Sequence, residues 1–164
     1  MRFEKDIKYA LLALFIGTFE AVFGKYIKIF GAVPMLTFSF CIVSALVEYE
    51  ESYVMVLSAL LGAVSDILYG HGFGTYTVAF SFSAVATFRL KDAIFSSKWL
   101  FLVLDAFLMT FLVQVFYMIL HIGDIGTNNF FKGLWSIVLP MAFYNTAVCC
   151  LFYYIANAFS RKRR

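Results

Sequence analysis

Charge is scarce in this sequence, and long polar stretches are missing. Asp, Glu, Lys and Arg make up 14% of the residues against 63% hydrophobic, and mean hydropathy is +0.87. Soluble globular chains carry about 25% charged and about 45–50% apolar residues, so a water-facing surface cannot be built from what remains. Cysteine is also sparse. Cys41, Cys149 and Cys150 sit inside apolar runs at spacings that match no metal site, and adjacent cysteines do not form an ordinary disulfide. They read as small packing residues. Gly-x-Ser-x-Gly, His-Glu-x-x-His and a Gly-Asp catalytic pair are all missing, so no enzyme, metal or cofactor is expected. The first apolar stretch, Tyr9 to Gly24, has no small-residue cleavage site and reads as a retained anchor. Nucleic acid is excluded as a partner. The terminal Arg161-Lys162-Arg163-Arg164 has no aromatic or polar platform beside it, and suits anionic headgroups instead.

What is there is apolar sequence in six runs. They cover about 7–24, 29–47, 53–69, 73–90, 99–121 and 134–159, near the ~20 residues a helical crossing needs. Helices alone satisfy every backbone amide in hydrocarbon at this length, so the expected class is all-α: a polytopic membrane protein with six transmembrane helices in a single domain, 1–164. Charge sets the orientation. With the amino terminus inside, the inner segments hold Arg2, Lys5, Lys8, Arg89, Lys91, Lys98 and Arg161 to Arg164, and the outer ones hold Lys25, Lys28 and Lys132. Positive residues mark the cytoplasmic side, so both termini are expected there. The inner turn with Glu48, Glu50 and Glu51 carries no Lys or Arg and has two readings, a solvated turn or a docking point for a basic partner.

The third run is the most informative. Ser58, Gly62, Asp66 and Gly70 recur every four residues, with Gly74 beyond them, drawing a smooth stripe on which another helix can approach closely. An acid within it costs about 2.5–3.5 kcal/mol on insertion scales, so Asp66 needs a partner or a wet cavity. A rise of 1.5 Å per residue puts Glu20 and Asp66 roughly 20 Å above the inner boundary, Gln114 roughly 22 Å and Asp105 roughly 9 Å. Two readings follow for the upper three. They line an outward polar pocket capped by His71 and His121, or each bonds to Ser, Thr or backbone on a neighbouring helix. Asp105, close to Lys98, is expected to pair structurally or to reach the inner interface. Small residues also recur at Ala13, Gly17 and Ala21, and at Ala79, Ser83 and Thr87, as seams for this bundle or for a partner helix.

The pattern Gly-x-x-x-Asp-Ile/Leu-Ile/Leu-x-Gly-x-x-Leu/Phe-Gly at the end of a third span resembles the MreD family of rod-shape-determining membrane proteins. Gly62, Asp66, Ile67, Leu68, Gly70, Phe73 and Gly74 carry it at the family's spacing, and Pro34 with Leu36 opens the second span in a similar way. The resemblance implies a non-catalytic component of the cell-elongation complex in the bacterial inner membrane, which scaffolds lateral-wall peptidoglycan synthesis and regulates cell shape. Its implied partners are an MreC-like single-span protein and, through it, MreB, RodA and a class B penicillin-binding transpeptidase. The family is also similar in fold to the substrate-binding S-components of energy-coupling-factor transporters. The alternative function is therefore an S-component for a vitamin or ion.

Overall fold

The computed structural model of the chain describes residues 2–24, 26–28, 32–48, 50–69, 74–92, 97–125 and 127–161. Among these the regular structure is helical throughout. The principal helices are α1 (Arg2–Phe23), α2 (Leu36–Val47), α3 (Glu51–Tyr69), α4 (Thr75–Leu90) and α5 (Lys98–Leu120). Two short pieces follow, α6 (Ile122–Ile125) and α7 (Thr127–Gly133). A single π-helical turn, Leu134–Val138, then leads into α8 (Leu139–Arg161). Among the described residues, three stretches are long and apolar enough to cross a membrane: Glu51–Tyr69, Lys98–Leu120 and Asn129–Ala158.

The second helix differs most from the hydropathy reading. The apolar run begins near residue 29, and α2 begins at Leu36. Pro34 is the reason. It has no N–H to donate, and its ring disfavours the helical conformation at Val33, so Ala32 to Met35 are non-helical. What remains is 12 residues, about 18 Å of helix. The helix alone is shorter than a bilayer's hydrocarbon core of about 30 Å, so as a crossing α2 depends on non-helical backbone enclosed by protein.

The short helix survives because lipid hardly reaches it. Thr37, Phe38, Ser39, Cys41, Ile42, Val43 and Ala45 are buried, and only Val47 is exposed. Helices α1, α3, α4, α5 and α8 all pack around it. Phe38 meets Phe80 of α4 with ring centroids 5.0 Å apart, and Ile42, Leu61 and Leu102 complete a fully buried centre. A helix apolar on every side belongs inside a bundle.

The outer helices behave in the opposite way. Phe15 is 67% exposed on α1, Phe82 69% on α4 and Phe143 67% on α8. So continuous an apolar exterior is a lipid-facing surface, since soluble monomers keep such patches to a few hundred Å². The small-residue seams face inward: Ala13, Gly17, Ala79, Ser83 and Thr87 are all buried. A Cβ on Gly17 would lie 2.3 Å from Val64 Cγ1 of α3. The backbones of α3 and α4 approach closely at Gly62, where a Cβ would sit 2.4 Å from Thr77 Cα and 2.7 Å from Thr77 N.

Candidate functional site

Two helix N-termini are buried within the bundle, and each presents N–H groups that no preceding turn can satisfy. Met35 and Gly74 stand at the N-cap positions of α2 and α4, and neither makes a side-chain cap bond. The acceptors come from the helix that precedes each break.

Asp66 of α3 serves α4. Its Oδ1 accepts from the Tyr76 N–H at 2.8 Å, and its Oδ2 from the N–H groups of Gly74 at 3.0 Å and Thr77 at 3.1 Å and from Thr77 Oγ1 at 2.7 Å. Gly74 turns the chain to allow this, with φ of +100°, a left-handed backbone that glycine adopts without steric cost. Glu20 of α1 serves α2 in the same manner. Its Oε2 accepts from the Thr37 N–H at 2.7 Å and from Thr37 Oγ1 at 2.8 Å, and its Oε1 accepts from the Tyr69 hydroxyl. In both cases one carboxylate oxygen takes the amide and the hydroxyl of a single threonine in the first turn of the next helix. A negative group at the positive end of a helix dipole is favourable, which offsets the cost of holding an acid in hydrocarbon.

Asn145 of α8 completes the α2 cap by accepting the Met35 N–H at its Oδ1, 2.9 Å away. Its buried Nδ2 finds no acceptor among the described residues. Gln114 of α5 donates its Nε2 to Met35 Sδ at 3.1 Å. So Gln114 and Glu20 both reach the start of α2, and they do so on different residues. Ser65 adds a relay, donating from Oγ to Thr37 Oγ1 at 3.2 Å.

An aromatic row ties the two caps together. Tyr69, which donates to Glu20, has its ring 5.9 Å from Tyr76, whose N–H serves Asp66. Tyr76 stacks on Tyr117 at 5.6 Å, and Tyr117 on His121 at 4.3 Å. His121 Nδ1 lies 3.0 Å from the Tyr117 carbonyl at the C-terminus of α5. Glu20, Asp66 and His121 therefore belong to one connected layer. His71 and Gly70 lie outside the described residues, as does Phe73 of the sequence pattern. Ser58, Gly62 and Asp66 are buried on the face of α3 that receives α4.

Asp105 makes a structural pairing, with a hydroxyl of α4. It is buried and accepts from Thr87 Oγ1 at 2.7 Å, while Lys98 is exposed. Seven residues separate Lys98 from Asp105, about 10 Å of helix, so the ammonium stays at the end of α5 while the acid finds a hydroxyl on α4. In the acidic turn one carboxylate has an ion-pair partner, and a lysine reaches the backbone. Arg89 pairs with Glu51 at 2.7 Å, and Lys91 Nζ donates to the carbonyls of Ala45 at 3.2 Å and Glu48 at 2.6 Å. Lys91 thus covers the negative C-terminal end of α2.

Sequence reasoning singled out the acids and missed their partners Thr37, Thr77 and Tyr69. A signal was present. Pro34-Met35-Leu36-Thr37 and Gly74-Thr75-Tyr76-Thr77 each open a helix within an apolar run with no Ser, Asp or Asn as a local cap, so a distant acceptor is required. No group of three or more His, Cys, Asp or Glu residues suited to a metal occurs among the described residues.

Fold and site together define an all-helical membrane protein whose buried acids fasten broken helices to their neighbours. The family model of the rod shape-determining protein MreD matches residues 1–163, and the chain belongs to that family. Membership carries a role in rod shape determination. No curated protein and no solved structure matches the chain, so the likeness to S-components rests on the family resemblance alone.

Proposed function

We propose that this protein is a non-catalytic scaffold of the bacterial cell-elongation complex, crossing the inner membrane six times with both termini in the cytoplasm. In this reading it pairs with an MreC-like single-span protein and through it supports MreB, RodA and a class B penicillin-binding transpeptidase during lateral-wall peptidoglycan synthesis. The observation that carries the proposal is the family match over nearly the whole chain. The local chemistry is compatible with it. Glu20 and Asp66 are occupied as helix caps, and two clefts, about 560 Å³ between α1, α2 and α8 and about 390 Å³ between α4 and α5, have almost wholly apolar walls.

Depletion of the protein from a rod-shaped host that encodes it should round the cells, and the tagged chain should co-purify with the MreC-like protein. Retained rod shape with no such association would remove the proposal. Vitamin uptake that depends on this chain and a coupling ATPase would replace it with the S-component reading.

A further inference from the structure

The end of the bundle remote from Glu20 and Asp66 holds a second polar cluster, which a role in cell shape leaves unassigned. A recess of about 230 Å³ opens there between the C-terminal end of α2, the turn after α4, the start of α5 and the last third of α8. Lys91, Asp92, Lys98, Tyr153 and Asn157 supply its polar wall, and apolar residues of α2 and α5 the rest. We propose that this recess binds the phosphate of an anionic phospholipid headgroup, with Lys91 and Lys98 as the charged contacts and Tyr153 and Asn157 as neutral ones.

Size and charge support this together. The recess far exceeds the ~10–15 Å³ that a single water needs. Its two ammonium groups outnumber the one carboxylate, Asp92. An ammonium has three donors; Lys91 spends two of them on the Ala45 and Glu48 carbonyls and lies 4.0 Å from the centroid of the Phe88 ring, so Lys98 is the freer of the two charges. Burial pushes Lys91 below the ordinary lysine range; Lys98 adds to that push, and Asp92 and Glu48 oppose it. An anion between the two lysines relieves the repulsion. Helix α5 begins at Lys98, and its N-cap Ser97 makes no side-chain cap bond, so the positive end of the helix dipole faces the same rim.

The position fits the headgroup level of a bilayer. Trp99 is exposed beside the recess and meets Tyr153 edge-on at 4.9 Å, an arrangement suited to the interfacial aromatic belt. Basic pockets between transmembrane helices on the cytoplasmic side are where anionic headgroups bind. Beyond Asn157 the sequence runs into Arg161-Lys162-Arg163-Arg164, which adds positive charge to this end of the chain.

The full chain is reconstituted in nanodiscs of phosphatidylglycerol mixed with phosphatidylcholine, and the lipid it retains is read by native mass spectrometry. Phosphatidylglycerol should be enriched severalfold over its share in the disc. Lys98→Gln, at an exposed position that leaves the fold intact, should abolish most of that enrichment, and Lys132→Gln on α7 should leave it unchanged. Added inorganic phosphate should lower the enrichment by competing for the same contacts. Equal retention of the two lipids, or enrichment that persists in Lys98→Gln, would overturn the proposal. So would inorganic phosphate that binds without any preference between the lipids, since the anion would then come from solution.

Discussion

Asp66 and Glu20 are carboxylates in apolar surroundings, yet they differ in how much depends on each. Asp66 accepts four hydrogen bonds, three of them from backbone N–H groups of Gly74, Tyr76 and Thr77. Asp66→Leu leaves those donors buried and unpaired, which should cost about 3 kcal/mol or more, since each unsatisfied buried group costs about 1–3 kcal/mol. Asp66→Asn keeps one acceptor oxygen and should lose roughly half as much. Detergent-solubilised unfolding of the two variants measures the difference, and equal losses would show that the hydrogen bonds are not what matters. Tyr69→Phe removes a single donor to Glu20 and should cost about 1.5–3 kcal/mol, the range for a hydrogen bond to a charged group. At Gly62 the issue is space. Its added Cβ meets backbone atoms of Thr77, whereas that of Gly17 meets the Val64 side chain. Gly62→Ala should therefore destabilise by about 1–3 kcal/mol or more, and Gly17→Ala by less. The reverse order in the same unfolding assay would contradict the close approach of α3 to α4.

Among the elements, α2 sets the terms for the rest. It is short, apolar all round and enclosed, so its two ends lie where water cannot reliably complete its hydrogen bonds. Glu20 and Asn145 close the N-terminal end, and Lys91 covers the carbonyls at the other. Each cap comes from a different helix, so fixing α2 also fixes α1, α4 and α8 around it. Lys91→Met removes the C-terminal cap and should lower stability by about 0.3–1 kcal/mol, the usual worth of a charge at a helix end. Arg89→Gln breaks the exposed pair with Glu51 and should change it by less than about 1 kcal/mol. A larger loss from Arg89→Gln than from Lys91→Met would reverse this ranking.

For the whole molecule, the proposed six crossings make a prediction about sidedness. Tyr26 follows α1 and Asp92 follows α4, and both are exposed. Three helices lie between them, so cysteines placed at 26 and 92 should react with an impermeant thiol reagent from opposite sides of the membrane. The native background is low, because Cys41 and Cys149 are buried and Cys150 is partly covered. Labelling of both positions from one side would end the six-crossing arrangement.

Composition and periodicity were enough to establish that the chain is helical and membrane-bound, because 63% hydrophobic residues have no other stable outlet. The spacing of Ser58, Gly62 and Asp66 also marked the narrow stripe of α3, and the wider pattern from Gly62 to Gly74 pointed to the family. Spacing along one helix contains no information about which donor a carboxylate meets on another. Glu20 and Asp66 sit at similar depths, which left open a shared polar pocket or separate bonds to Ser, Thr or backbone on neighbouring helices. Only tertiary packing decided that each is pressed against the start of the next helix, since Pro34 and Gly74 interrupt the chain there and leave N–H groups that must be satisfied inside the bundle.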